Sequence, residues 1–345
     1  MDDWYRNSVG NDMRSRNGWN MRENIRVIFE QNTELIRRTE IALQYYREQQ
    51  YDKALGLTAQ AIDQLRDISE AIFSDREYFA AVSDASVAEM LTGLLQTKKK
   101  KDYVLLADLF EMQLLTFLYG IQELILNKED YMEYDEEAYA KRTALMKEKL
   151  AESIRGYEKN ADTAERDILN LNALLDAPID PERLLDDGYR VEFTSSGRMT
   201  VAIRDREDRD LYLHSNGNVS KEAFLLAKHW TEKPADTYII YGLGMGYHIE
   251  ELLYLSPDSK IEIYETDMNI LKLSCAFSKI EALLQDMEVQ LIYDPDGSLI
   301  RKRLKDRKKN EAVCVHYPSL RNVKEEGLRE VLSGYIPWVK LIENI

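Results

Sequence analysis

Four short apolar segments, separated by amphipathic stretches, dominate the C-terminal half of the sequence. The segments are residues 237–241, 260–264, 289–293 and 312–317. The stretches between them carry apolar residues at the three- and four-residue steps of a helix. Parallel strands need crossover connections, and alternating strands and helices supply them. The sequence therefore predicts a doubly wound parallel sheet.

A glycine-rich turn follows the first of these strands. Residues 238–253 read YIIYGLGMGYHIEELL and place Gly242, Gly244 and Gly246 before a predicted helix. In a Rossmann-like sheet such a turn lets the backbone approach a ligand, and the helix N-terminus favours negative charge. The dinucleotide fingerprint G-x-G-x-x-G/A is incomplete, because Tyr247 occupies its last position. A nicotinamide cofactor is therefore disfavoured, and another nucleotide stays open.

An acidic residue ends the next strand. Glu265 lies where a carboxylate commonly accepts hydrogen bonds from ribose hydroxyls, and Asp267 and His248 are further candidates for ligand contact. The glycine turn with this glutamate resembles the first two motifs of S-adenosylmethionine-dependent methyltransferases, which implies that cofactor. Those enzymes usually carry an acidic residue two positions before the first glycine, where this chain has Ile240. The alternative is that the glycines only allow close packing of helix on strand.

Other motifs favour no particular chemistry. Asp294 and Asp296 resemble the D-x-D of metal-dependent sugar-nucleotide transferases, but Asp-Pro-Asp-Gly is also strong turn chemistry, and we interpret it as a turn. The four histidines show no metal-ligand spacing, so we predict no metal site. The sequence contains no G-x-S-x-G elbow and no P-loop. No base or nucleophile is assigned, and enzymatic activity stays open.

The N-terminal half is built differently. All seven prolines lie at or beyond Pro178, and the long stretches before it have helical apolar spacing. The longest are residues 23–49 and 135–175, and Gly156 is a candidate for a break in the second. Helices this long seldom bury their apolar face within one small domain, so we expect a homo-oligomer, a dimer, formed through the helical half.

Alternating segments after Pro181 predict a small antiparallel meander, with strands at 189–194, 198–204 and 210–213. The fold class is thus α plus α/β, an all-helical domain followed by the meander and the Rossmann-like doubly wound parallel sheet. The predicted parts are a flexible N-terminus at 1–19, a helical bundle or scaffold at 20–176, and the meander with the α/β domain at 177–345.

Charge and composition exclude several classes of partner. The formal net charge is −16, which repels nucleic acid and anionic membranes. Lysine and arginine cluster at 98–101 and 301–309, and we interpret both runs as solvated helix surfaces. We find neither a signal peptide nor an apolar run that approaches membrane-spanning length, so we expect a cytoplasmic protein without membrane insertion. Cys275 and Cys314 are predicted to be free and buried.

Three segments together resemble a known family. They are LHSNGNVSKEA at 213–223, GLGMGYHIEEL at 242–252 and IEIYETD at 261–267. In this order they are similar to the N-terminal region of the motility accessory factor (Maf) flagellin glycosyltransferases, over about residues 180–320. The resemblance implies a bacterial protein associated with flagellin or cell-surface glycosylation, which uses nonulosonic acids activated as cytidine nucleotides.

That resemblance does not extend to a catalytic domain. In the family, transfer is attributed to a central domain that opens with Gly-x-Gly-Pro-Ser, and this sequence has no such segment. We therefore expect an accessory, non-catalytic Rossmann-like module that works with other glycosylation proteins. The alternative is a methyltransferase that binds S-adenosylmethionine with Glu265 on the ribose and the three glycines beside the cofactor.

Overall fold

The computed structural model describes residues 15–129, 135–205 and 209–336. Helix α1 begins at Ser15, so residues 15–19 of the predicted flexible N-terminus are helical. Residues 1–14 of that prediction lie outside the described residues. The chain divides into a helical unit, which runs to residue 129 and includes Ser195–Gly197, and an α/β unit, which contains the other described residues.

The helical unit contains α1 to α5 and one π-helical turn. Their bounds are α1 Ser15–Arg47, α2 Tyr51–Ser74, α3 Asp84–Lys100, α4 Tyr103–Leu109, the π turn Phe110–Leu114 and α5 Leu115–Leu126. A buried polar pair joins α1 to α5, because the Asn32 side-chain amide donates to Gln122 Oε1 at 2.9 Å and to the Leu118 carbonyl at 2.8 Å. Ser83 and Asp102 accept backbone N–H groups at the starts of α3 and α4 and so fix where these helices begin.

The continuous helical stretch Tyr103–Leu126 has the length and apolar composition of a membrane span, with a mean hydropathy of 1.5. An apolar stretch of this length was not predicted from the sequence. Leu106, Phe110, Leu114 and Leu118 are buried within the helical unit, and 39% of the apolar window is buried in total.

The predicted helix at 135–175 is two helices, α6 Glu136–Tyr157 and α7 Ala161–Asp176. The break lies at 158–160 and not at Gly156, because Asn160 Oδ1 accepts the N–H groups of Asp162 and Thr163 and so begins a new helix. Both helices belong to the α/β unit. The structure therefore places the boundary near residue 130 and not at 176/177, since apolar residues of α6 and α7 share one core with strand residues of the parallel sheet.

The predicted fold class is confirmed. After α8 (Pro181–Asp186), the antiparallel meander has the order β1-β2-β3, and the parallel sheet has the order β6-β5-β4-β7. The strands are β1 Tyr189–Phe193, β2 Met199–Arg204, β3 Asp210–Tyr212, β4 Thr237–Tyr241, β5 Lys260–Glu265, β6 Val289–Tyr293 and β7 Glu311–Val315. The remaining helices are α9 Val219–Trp230, α10 Tyr247–Leu255, α11 Met268–Phe277, α12 Glu281–Gln285, α13 Ser298–Lys305, α14 Tyr317–Arg321 and α15 Glu326–Ser333.

The parallel sheet is buried on both faces, as a doubly wound sheet requires. Tyr238 and Ile240 of β4 belong to the core shared with α6 and α7, while Ile239 and Tyr241 belong to the core on the opposite face. Because β5 and β6 lie on one side of β4 and β7 lies on the other, β4 is central. The turn after β4 is therefore at the position where this class of sheet usually binds a ligand.

Candidate functional site

The glycine turn between β4 and α10 needs glycine for its backbone conformation. The φ angles are +96° at Gly242, +52° at Gly244 and +83° at Gly246, a region that L side chains rarely adopt. Gly246 is also the N-cap residue, directly before α10 begins at Tyr247. The backbone alone thus explains why all three positions are glycine.

The space above this turn is occupied by the protein itself. A Cβ at Gly242 would lie 2.5 Å from the Cβ of Ser319, and one at Gly244 would lie 2.9 Å from His214 Nε2. The Met245 N–H donates to the same His214 nitrogen at 3.0 Å. The turn is therefore in contact with side chains at the places where a cofactor would otherwise approach it.

Glu265 ties the end of β5 to the glycine turn. Its side chain is buried, with Oε2 accepting the Leu243 N–H at 2.9 Å and Oε1 accepting those of Thr266 at 2.8 Å and Asp267 at 3.0 Å. Burial and then the charge of Asp267 raise the pKa of Glu265 to about 7, whereas the three N–H donors act to lower it. The carboxylate predicted to hold a ribose thus already has three backbone donors.

Three buried histidines converge next to the turn. They are His214, which follows β3, His248 in the first turn of α10, and His316, which follows β7. One ring nitrogen from each lies within 4.8 Å of the others. The cluster was not predicted from the sequence, because the three residues are far apart along the chain and show no local metal-ligand spacing. The available signal was that His214 follows a predicted strand, His248 follows the glycine turn, and His316 lies near the end of the last predicted strand.

The rings do not present a metal site in this arrangement. Those of His248 and His316 are stacked, with centroids 4.3 Å apart and planes at 10°. An imidazole lone pair lies in the plane of its ring, so two stacked parallel rings cannot both direct one at a single ion. The lone pair of His214 Nε2 already accepts the Met245 N–H. The three histidines therefore fill space and form hydrogen bonds with neighbouring groups, as buried side chains of a core do.

Hydrogen bonds define the roles of the ring nitrogens. His248 Nε2 donates to the Gly242 carbonyl at 3.1 Å, which leaves its buried Nδ1 without a partner among the described residues. His316 Nδ1 lies 2.7 Å from Ser319 Oγ, and His214 Nδ1 lies 3.6 Å from Glu222 Oε1. These contacts link the glycine turn to α9 and α14.

The electrostatics of the cluster favour neutral rings. Burial, followed by the charge of His214, lowers the pKa of His248 to about 3. Burial, followed by the charges of His248 and His214, holds the pKa of His316 well below its usual range. Both histidines are therefore uncharged at neutral pH, because a buried charge without a counterion is costly.

A cavity of about 290 Å³ lies beyond the carboxyl edge of the sheet. Glu265 and Asp267 line it, but among the described residues of the predicted site the three glycines and His248 do not. Asp267 Oδ2 accepts the Tyr189 hydroxyl at 2.5 Å and the Asn322 amide at 3.3 Å. The other lining residues that carry full charges are Asp296, Lys324 and Glu325, so carboxylates outnumber cations.

The remaining sequence predictions for this unit have structural outcomes as well. Asp294 accepts the N–H groups of Leu299 and Ile300, and Asp296 accepts that of Ser298, so the interpretation of this segment as a turn that begins α13 is confirmed. Cys275 and Cys314 are free and buried, as predicted.

No family model matches this sequence. No curated protein matches it either. Among solved structures, it is similar to the crystal structure of MNMC2 from Aquifex Aeolicus, with 15% sequence identity and a TM-score of 0.24. The match covers 48% of this chain and 62% of that chain. This similarity is too low to indicate a shared function.

Proposed function

We propose that this protein is an accessory, non-catalytic Rossmann-like module that works with other proteins of bacterial flagellin or cell-surface glycosylation. The proposal that the module is non-catalytic rests on one observation, which is that protein side chains already contact the glycine turn. Its N–H groups at Leu243 and Met245 are bound by Glu265 and His214, and Ser319 packs on Gly242. A turn with these contacts stabilises the fold and has little room for a cofactor.

The association with glycosylation comes from the Maf-like segments, and their packing supports it. The His214 ring lies 5.0 Å from the Tyr247 ring and accepts the Met245 N–H, while Glu265 accepts the Leu243 N–H. The strand-end histidine, the glycine turn and the acidic strand end thus form one contact network. A common architecture with that family would require these residues to form one structural unit.

A methyltransferase that uses S-adenosylmethionine is the second candidate. It is favoured by the cavity at the correct edge of the sheet, where Asp267 and the excess of carboxylates suit a ligand with a sulfonium and an ammonium group. The same lining disfavours nucleotide phosphates. This candidate needs Asp267 to contact the cofactor, because the glycine turn does not line the cavity.

Calorimetric titration separates the two candidates. S-adenosylmethionine, S-adenosylhomocysteine, cytidine monophosphate and NAD would each be titrated into the full chain. The accessory module should bind neither S-adenosylmethionine nor S-adenosylhomocysteine at millimolar concentration. Binding of these two, weakened by Asp267→Asn and unchanged by the exposed control Asp258→Asn, would instead support the methyltransferase.

The role in glycosylation needs a test in the native bacterium. Deletion of the gene should lower the intact mass of flagellin, or of another glycosylated surface protein, by the mass of its glycan. Expression of the unaltered gene should restore that mass. An unchanged glycan after deletion would contradict the proposed association, whatever the titrations show.

A further inference from the structure

The helical unit contains an open apolar cavity of about 320 Å³, which we term the α2–α3 groove. Leu65 of α2, Leu91 and Leu95 of α3, and Leu106 and Phe110 line it. Each helix contributes lining residues at three- and four-residue steps, so the apolar surface is continuous along the helices. Apolar surface of this kind gains free energy when an apolar group covers it and removes it from water.

The π-helical turn contributes to the groove. Phe110 and Leu114, the first and last residues of the turn, both line it. π turns are rare, and they occur frequently at functional sites because the extra residue redirects side chains from one face of a helix. Here the redirected side chains are apolar and contribute to a cavity. The π turn therefore shapes the apolar lining of the groove.

The charged residues at the groove indicate where the polar group of a ligand would bind. Arg66 pairs with Asp63 and Asp67, whereas no ion pair joins Lys98 to a carboxylate in the described ranges. Lys98 is half-buried, and it is followed by exposed lysines at 99–101. The lysines at 99 and 100 are explained by the favourable interaction of cations with a helix C-terminus, but Lys98 also lines an apolar cavity. The groove therefore combines an apolar interior with an available cation.

We propose that the α2–α3 groove binds a free fatty acid, with its hydrocarbon chain among the leucines and its carboxylate at Lys98. The volume suits a medium-length chain, since a water-sized group occupies about 30 Å³ and the groove holds roughly ten of them. The carboxylate is assigned to Lys98 although Glu70 also lines the groove, because three further lysines follow Lys98.

Titration of the full chain with laurate, decanoate and dodecyltrimethylammonium tests the proposal without any variant. Each buried methylene contributes a factor of about four in affinity, so decanoate should bind roughly fifteenfold more weakly than laurate. Dodecyltrimethylammonium, which has the same chain and the opposite charge, should bind more weakly than laurate. Tighter binding of the cation would overturn the assignment of the carboxylate to Lys98.

Matched variants locate the site. Leu91→Trp should fill the groove and abolish laurate binding, whereas Val104→Trp, on an exposed position outside the groove, should leave it unchanged. Lys98→Gln should weaken laurate by about twofold to fivefold, as expected for a partly exposed ion pair, and Lys99→Gln should not. The proposal is overturned if laurate fails to bind, if it binds equally to Leu91→Trp, or if the protein binds only vesicles of phosphatidylglycerol.

Discussion

Acidification should destabilise the α/β unit through the buried histidines. A histidine in an unfolded chain has a pKa of about 6.5. In the folded protein, burial and the neighbouring His214 lower the pKa of His248 to about 3, and the pKa of His316 is also far below its usual range. Because the folded pKa is depressed, the stabilising contribution is fully present above pH 6.5. It is lost as the pH falls from 6.5 towards the folded pKa.

The size of the effect follows from these pKa values. At pH 5 an unfolded histidine binds a proton that folded His248 excludes, which costs about 2 kcal/mol at about 1.4 kcal/mol per pH unit. Typical domains have a total stability of about 5–15 kcal/mol, so this loss is measurable. Glu265 acts in the opposite direction. Its folded pKa is raised to about 7, so its protonation below that pH stabilises the folded state.

A variant isolates the histidine contribution from that of Glu265. His248→Gln retains a side-chain N–H donor for the Gly242 carbonyl but cannot titrate. Urea unfolding at pH 7 and pH 5, followed by circular dichroism, should show that the unaltered protein loses about 2 kcal/mol more than this variant. His229→Gln is the control, because the His229 side chain is 47% exposed, and it should follow the unaltered protein. Equal losses in His248→Gln and the unaltered protein would refute the reasoning.

Three further predictions concern packing, charge and assembly. Gly244→Ala should lower the free energy of unfolding by at least about 1–3 kcal/mol, since φ is +52° and the new Cβ would meet His214. Gly217→Ala, with open space around it, should be nearly neutral in the same urea experiment. Arg303→Leu should cost about 2–4 kcal/mol, because it removes the cation that bridges Glu262 and Glu311. The exposed control Arg166→Leu should cost less than about 1 kcal/mol. We propose a dimer formed through the helical unit. Sedimentation equilibrium at tens of micromolar, a typical range for modest interfaces, should give twice the chain mass. A monomer mass would contradict the proposal.

The sheets were predictable because a strand's pattern is local. Residues 237–241 and 289–293 are β4 and β6 as predicted, since these runs are too short for a helix and are rich in β-branched and aromatic residues. The unit to which α6 belongs was not predictable in the same way. Its apolar face, which includes Met146 and Leu150, has the same spacing whether it packs on helices or on a sheet. The sequence alone does not distinguish these partners, and so the predicted boundary was displaced.

The candidate site was predicted in position but not in its contacts. The glycine turn and Glu265 lie at the expected edge of the sheet. Whether such a turn binds a ligand or only packs depends on which atoms contact the glycines. Here those atoms belong to His214, His316 and Ser319. Such contacts depend on tertiary structure, and no local motif encodes them.

The separation of the turn from the cavity restricts which ligands this edge can hold. In a typical Rossmann-like site, backbone N–H groups at the turn and the helix N-terminus bind phosphates. Here Leu243 and Met245 donate to protein side chains instead, and the cavity beside them is lined by more carboxylates than cations. A phosphate would meet repulsion without these donors. A ligand in this cavity must therefore depend on Asp267 and its neighbours, which favours neutral or cationic nucleosides over nucleotides.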